Sequence, residues 1–146
     1  MEIFKEVEDF SKVKLIDGFS IREFNESDFP LIQNLYRKEG WMTFIERENE
    51  ALKAWKNSTI GIVAIHDEEI IGFVRALTDG QITTYIAEII VDTKYRGKGI
   101  AKALLEACHD LYPNARLDLL SSESADVFYE KNDFRKITGF RKSYYR

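Results

Sequence analysis

A cluster of positive charge and glycine lies where an apolar run, "YIAEIIV", gives way to a helical pattern. Four basic residues and two glycines follow the run: Lys94, Arg96, Lys98, Lys102, Gly97 and Gly99. The start of a helix carries unpaired backbone N–H groups and the positive end of the helix dipole, so it favours an anion and disfavours cations. The alternative is that the glycines only make a tight turn. Because a turn does not explain the basic residues, the stretch predicts a phosphate-binding loop.

Two common phosphate-binding motifs do not fit this loop. A P-loop requires Lys and then Ser or Thr directly after its second glycine, but Ile100 follows Gly99. A dinucleotide-binding fingerprint requires a third glycine where this chain has Lys102. The expected phosphate ligand is therefore neither a P-loop nucleotide nor a dinucleotide.

The elements that would position the loop follow from the periodicity of the apolar residues. Strands are predicted at 19–24, 59–66, 70–77, 82–91 and 115–122, with one or two more in 134–146, and helices at 31–40, 43–58, 100–112 and 123–133. The segment 82–120 forms a β-α-β unit, so two of its strands are parallel. The sequence predicts an α/β (α+β) fold with a mixed, mainly antiparallel central sheet of six to seven strands and helices on both faces.

Composition and charge restrict the classes of protein. The 146 residues predict one domain, 1–146, in which residues 1–18 form an extension that is either a short amphipathic helix or an extra strand. The net charge of −4 argues against general nucleic-acid binding, which needs a broad basic face. The single cysteine, Cys108, excludes an internal disulfide and a cysteine-based metal site.

The sequence also predicts where the protein acts. The segment "MEIFKEVEDF" is acidic where a signal peptide is basic and then apolar, and the apolar runs are shorter than the ~20 residues of a membrane span. His66 and His109 have no acidic partner at metal-ligand spacing. We therefore expect a cytoplasmic protein with no membrane, nucleic-acid or metal partner.

Two motifs resemble one known family. The pattern Arg96-x-x-Gly99-x-Ala101, which follows a strand and opens a helix, resembles the coenzyme A-binding motif of the GCN5-related N-acetyltransferases (the GNAT family). The stretch "SADVFYEKNDF" resembles the family's second signature, and "NSTIGIVAIHDEEIIGFVRALTDG" looks like the members that acetylate small amines, the aralkylamine type. The resemblance covers Phe19 to the C-terminus. It implies the GNAT fold and acetyl-CoA as cosubstrate, and the family's habits imply a homodimer.

The resemblance also implies which residues contact the coenzyme. In the family, loop N–H groups hold the pyrophosphate, and the preceding strand parts from its neighbour to free main-chain groups for the pantetheine arm and the thioester carbonyl. The residues that correspond here are Ile89, Ile90, Val91, Arg96, Gly97, Lys98, Gly99, Ile100, Ala101 and Ser122. Ser122 replaces the usual Asn, so a side-chain contact to CoA is expected to be lost or replaced. Asp133 replaces a glycine that usually ends the helix, and Asp tolerates the left-handed conformation required there.

Acetyl transfer to an amine requires acid–base groups. A free alkylamine has a pKa near 10, so an enzyme needs a proton acceptor for it and a proton donor for the departing thiolate. By the resemblance, Tyr129 is the expected donor, although beside Phe128 it would otherwise be a core aromatic. Glu88, an acid in an apolar strand, is the candidate base, because a buried carboxylate is costly without a use. The alternatives for Glu88 are a surface position, an ion pair with Arg75, and deprotonation through water, and Asp92 is a further candidate base.

The acceptor site is less defined by the sequence. Trp41 and Phe44 follow the helix stop at Gly40, in the region that borders the family's acceptor pocket, and they are expected either to wall that pocket or to pack in the core. The predicted function is direct transfer of acetyl from acetyl-CoA to a primary amine of a small molecule. The alternatives are acetylation of a protein lysine or N-terminus, and a silent acetyl-CoA-binding sensor.

Overall fold

A computed structural model describes Phe10 and residues 13–144, with the side chain of residue 123 excepted. Most of the N-terminal extension, and with it the choice between helix and strand, therefore lies outside the described residues. The described part contains one sheet with the strand order β1-β2-β3-β4-β5. The first four strands are antiparallel neighbours, and β5 runs parallel to β4. The predicted mixed α/β sheet is confirmed.

Five strands and five helices are found in residues 13–144. The strands are β1 (Phe19–Glu23), β2 (Ile60–His66), β3 (Glu69–Thr78), β4 (Thr83–Val91) and β5 (Arg116–Leu119). The helices are α1 (Phe29–Glu39), α2 (Thr43–Glu46), α3 (Glu48–Asn57), α4 (Ile100–Leu111) and α5 (Asp126–Lys131). Short 3-10 turns precede α1, α4 and α5.

Each helix end has a local cause. Gly40, at φ +78°, closes α1 in the left-handed conformation that glycine adopts without a Cβ penalty. The predicted helix 43–58 is divided into α2 and α3, because the backbone of Arg47 leaves the helical region at φ −109° and ψ 51°. Beyond α5, Asp133 has φ +69°, the left-handed conformation expected of it.

Helices cover both faces of the sheet. On one face α4 buries Leu104 and Cys108 against strand residues such as Val74. On the other face α1 and α3 bury Tyr36 and Trp55 around Phe73. The side-chain alternation of β3 supplies both layers, because neighbouring residues on a strand face opposite sides of the sheet.

The predicted closing strands are not present in residues 134–144, which contain no regular element. The described sheet therefore has five strands rather than six to seven. The apolar residues here, Phe134, Ile137, Phe140 and Tyr144, recur every three or four positions instead of alternating, so a strand would place them on both faces. Ile137, Phe140 and Tyr144 are exposed.

The described residues contain neither a membrane-spanning helix nor a metal-binding cluster. None of the helices there has the length and apolar character that crossing a bilayer requires. No cluster of three or more His, Cys, Asp or Glu side chains in that part of the chain is arranged to hold a metal ion.

Candidate active site

The candidate site is the opening between β4 and β5. The two strands pair only from Thr83 opposite Arg116 to Ile86 opposite Leu119. Beyond that point they separate around a cavity of about 460 Å³, lined by 86–91 on one side and 119–122 on the other. The volume falls in the range of small-molecule sites, roughly 300–1,000 Å³.

A bulge in β4 accompanies the separation. Arg75 of β3 pairs with Glu88, and the next residue, Ala76, pairs with Ile86, so Ala87 is the extra residue. A bulge bends its strand, increases the local twist and redirects a side chain. In this protein it lies where β4 parts from β5, and the adjoining Glu88 lines the cavity.

The separated part of β4 has main-chain groups directed away from β3. The Val91 carbonyl accepts a hydrogen bond from Arg96 Nε at 2.8 Å, and the N–H of the next residue, Asp92, donates to Ile71 on the β3 side. The N–H and C=O groups of successive strand residues face opposite edges of the strand. The backbone groups of Ile89, two residues before Val91, therefore also face away from β3. Ile89 and Val91 therefore direct polar groups toward the space that β5 has left.

The β4–α4 loop surrounds one end of the cavity. Asp92 begins it, and its carboxylate accepts from the Lys94 N–H at 3.0 Å, which starts a 3-10 turn. Gly97 and Gly99 follow with φ of +78° and +82°, a conformation that L side chains rarely adopt. Within the described part of the chain, no hydrogen bond uses the backbone N–H groups of 99–102, the first turn of α4. Four N–H donors at the positive end of the α4 dipole are therefore available to an anion.

Two ion pairs connect the end of α1 to this loop. Lys38 Nζ lies 2.8 Å from Asp92 Oδ2, and this hydrogen bond holds the pKa of Asp92 below its usual value. The Glu39 carboxylate accepts from Arg96 Nη2. Glu39 and Arg96 both line the cavity. The helix that ends at Gly40 is thus tied to the candidate phosphate loop.

Tyr129 lines the cavity from α5. Its ring packs edge-on against Phe128 and Phe134, with centroid separations of 5.1 and 5.4 Å. No hydrogen bond of the described residues uses its hydroxyl. Burial raises the pKa of Tyr129, so the phenol stays protonated at neutral pH.

Glu88 belongs to a buried polar network. Its Oε1 accepts from Arg75 Nε at 2.7 Å and from the Tyr36 hydroxyl at 2.8 Å, and the Trp55 indole N–H donates to the same hydroxyl at 3.0 Å. Burial, and after it the negative charge of Glu88, raises the pKa of Tyr36 above its ordinary value. The ion pair with Arg75, an alternative for Glu88 from sequence, is present, and Glu88 also lines the cavity.

The two aromatic residues expected at the acceptor pocket differ in position. Trp41 lines the cavity and is 37% exposed. Phe44 does not, because its ring stacks on Tyr36 with a centroid separation of 4.1 Å and so packs in the layer beneath α1. Of the two alternatives given for Phe44, its contacts agree with packing in the core.

The cavity brings together most of the residues expected from sequence. Those that line it are Trp41, Glu88, Ile89, Ile90, Val91, Arg96, Gly97, Gly99, Ile100, Ala101, Ser122 and Tyr129. Lys98 does not line it, and its side chain is exposed. Lining residues not expected from sequence include Glu39, Tyr95, Leu120 and Phe128. Tyr95 directly precedes the loop motif, and Glu39 carries a sequence signal, since an acid is disfavoured in the last turn of a helix.

Cys108 is remote from this chemistry. It is fully buried in the layer beneath α4, and burial raises the pKa of its thiol to about 12. A thiol in this environment is not a nucleophile at neutral pH.

A family model and a curated relative match this chain. The model is that of the acetyltransferase (GNAT) domain, and it matches residues 57–136. The relative is an uncharacterized N-acetyltransferase in the lysA 3′ region of Bacillus methanolicus. It is 27% identical over 107 residues, which are 73% of this chain and 76% of the relative.

Solved structures share the fold. A GNAT-family acetyltransferase from Streptococcus pneumoniae has a TM-score of 0.70 at 20% identity, with 88% of this chain and 98% of that chain covered. An aminoglycoside N-acetyltransferase in complex with CoA has a TM-score of 0.63 at 22% identity, with 88% and 93% covered. At these identities the likenesses establish the architecture.

Proposed function

Since the chain belongs to the GNAT acetyltransferase domain family and is an acetyl-CoA-dependent acetyltransferase, we propose that it transfers acetyl directly to a primary amine of a small molecule. One observation carries the choice of acceptor. Glu39, Trp41 and Glu88 line the same cavity as the loop, so two carboxylates and an indole border the cavity that the thioester would enter. Carboxylates and an aromatic face both attract a positively charged amine.

Acetyl-CoA fits the loop side of the cavity. The pyrophosphate would be held by the unpaired N–H groups of Gly99–Lys102, where Gly97 and Gly99 leave no Cβ in the way. The pantetheine arm would lie between the separated strands and take the place of β5 beside Ile89 and Val91. The N–H groups of these two residues would stabilise the oxyanion as the carbonyl becomes tetrahedral.

The amine must lose a proton to react. Glu88 would accept that proton through a water molecule, because both of its oxygens already accept hydrogen bonds from Arg75 and Tyr36. The neutral amine nitrogen then attacks the thioester carbon. The nitrogen of the tetrahedral intermediate then loses its second proton to water as the C–S bond breaks, so the products are a neutral amide and a thiolate that keeps the electron pair.

Tyr129 would donate a proton to that sulfur. Its raised pKa keeps the proton on the phenol until thiolate forms, and no partner in the described residues competes for its hydroxyl. A phenol is a weaker acid than a thiol, whose pKa is near 8.5. Tyr129 would therefore begin its donation as a hydrogen bond to the negative charge that develops on sulfur while the C–S bond breaks. Cys108 is fully buried, so its thiol could not attack the thioester to form a covalent acyl-enzyme. Transfer would therefore be direct.

Thermal denaturation with and without acetyl-CoA, combined with thiol release across a panel of amines and basic peptides, tests the proposal. We expect acetyl-CoA, but neither NAD nor ATP, to raise Tm, and we expect thiol release with small primary amines. Turnover only on basic peptides would replace the small-molecule acceptor with a protein. A rise in Tm without turnover on any amine would indicate a binding module.

A further inference from the structure

Glu39 is an acid in an electrostatically unfavourable place. It is the last residue of α1, where the carbonyl end of the helix dipole disfavours a negative charge. The buried face of α1, which includes Ile32, Leu35 and Tyr36, already holds the helix on the sheet, and Lys38 already pairs with Asp92. Glu39 is therefore not needed to anchor the helix.

The partner of Glu39 is a residue expected to bind phosphate. The Glu39 carboxylate contacts Arg96, which is the first residue of the coenzyme A motif. The Arg96 side chain is 49% exposed. A bound pyrophosphate would place two further negative groups beside this guanidinium, and Arg binds phosphate with the same two-point geometry that it uses for carboxylate. Phosphate and Glu39 would therefore compete for Arg96.

Once phosphate has displaced it from Arg96, the Glu39 carboxylate could bind a group of the acceptor in the cavity. Glu39 and Trp41 flank the turn at Gly40, and both line the cavity. An acid and a partly exposed indole that line one cavity suit an ammonium group, which can gain both an ion pair and a cation–π contact. The nucleophilic amine gives up its charge to Glu88 before it attacks, so the group that stays charged beside Glu39 is a second amino group.

We propose that Glu39 is a specificity-determining residue that binds a second, non-reacting amino group of the acceptor once acetyl-CoA has drawn Arg96 away. The preferred acceptors are then diamines and larger polyamino compounds, rather than monoamines. This inference rests on the proposed function, because it concerns the acceptor of the same reaction. Binding of acetyl-CoA would also precede productive binding of the acceptor.

The kinetic test uses Glu39→Gln and two acceptors of equal chain length, an alkyl monoamine and the corresponding α,ω-diamine. We expect the variant to raise KM for the diamine about ten-fold more than KM for the monoamine. The control is Glu106→Gln, an exposed acid on α4 that does not line the cavity. Equal changes for the two acceptors would overturn the inference, because Glu39 would then act only through Arg96 or the fold.

The binding test measures diamine affinity by calorimetry with and without CoA. We expect CoA to strengthen diamine binding in the wild type and to have a markedly smaller effect in Glu39→Gln. Equal diamine affinity with and without CoA in the wild type would overturn the proposal that phosphate displaces Glu39 from Arg96. If the wild type acetylates no amine, the proposed function itself fails, whereas turnover without selection for the diamine removes only this inference.

Discussion

Arg75 and Glu88 lie opposite each other on β3 and β4 and form a two-point ion pair, with Nε–Oε1 at 2.7 Å and Nη2–Oε2 at 2.5 Å. The Arg75 and Glu88 side chains are only 13% and 8% exposed. The pair is next to the bulge at Ala87 and lies beneath the cavity, so the geometry of the candidate base depends on it.

Removing one member of this pair should destabilise the protein strongly. Arg75→Met leaves the Glu88 carboxylate buried without its cation, and we expect the free energy of unfolding to fall by about 3–5 kcal/mol in urea titration. The control is the double variant Arg75→Met with Glu88→Leu, which removes both charges and should recover most of the loss. Equal destabilisation of the single and double variants would mean that packing, rather than the unpaired charge, accounts for the effect.

Glu88 is also expected to matter for catalysis. Glu88→Gln retains the shape of the side chain and an oxygen that Arg75 and Tyr36 can reach, but it removes the proton acceptor. We expect kcat to fall about 10²-fold while acetyl-CoA affinity changes little, measured by thiol release and by calorimetry. Loss of acetyl-CoA affinity in parallel with kcat would instead indicate that the cavity has rearranged.

The loop glycines allow a matched comparison. Gly99 and Gly40 both have positive φ, +82° and +78°, and a Cβ at either position would meet no atom within 4 Å. Alanine should therefore cost each site a similar backbone strain, on the order of 1 kcal/mol. We expect Gly99→Ala, but not Gly40→Ala, to weaken acetyl-CoA binding by ten-fold or more in calorimetry. Equal affinities in the two variants would argue against the loop as the phosphate site.

Tyr129 should affect the chemical step rather than binding. Tyr129→Phe removes a hydroxyl that has no partner in the described residues, so little stability should be lost. We expect kcat to fall by 10²-fold or more with KM for acetyl-CoA nearly unchanged, because the hydrogen bond forms only as thiolate develops. An unchanged kcat would assign Tyr129 to packing against Phe128 and Phe134.

The predictable parts of this site are those that local sequence determines. The loop could be recognised because two glycines, a preceding strand and a following helix all lie within 83–111. Tyr129 was recognised only through the second signature, since α5 is short and its side chains are all at least partly exposed. The sequence does not predict the division of helix 43–58 into α2 and α3, because no Gly or Pro, the usual helix-breaking residues, lies near Arg47.

The remaining features depend on contacts between distant residues. The ion pair of Glu39 with Arg96 joins residues 57 positions apart, and the separation of β4 from β5 coincides with a bulge at Ala87 that is defined by pairing with β3. No periodicity in one segment encodes either of them. The closing strands predicted in 134–146 have no support in the spacing of Ile137 and Phe140, which does not alternate as a half-buried strand requires.

Acid should destabilise the protein through its paired aspartates. Burial opposes the charge of Asp28, but hydrogen bonds from Arg22 at 2.8 Å and from the Asn25 N–H at 2.9 Å outweigh it, so the pKa of Asp28 is lowered. A lowered folded-state pKa means that the unfolded chain binds protons more readily, so the stabilisation is complete above the unfolded value near 3.9 and is lost as pH falls through the folded value. We expect the urea midpoint to decline steeply below about pH 4. Asp28→Asn should lower the midpoint at pH 7 and flatten this decline, whereas an unchanged slope in the variant would assign the acid sensitivity to other groups such as Asp92.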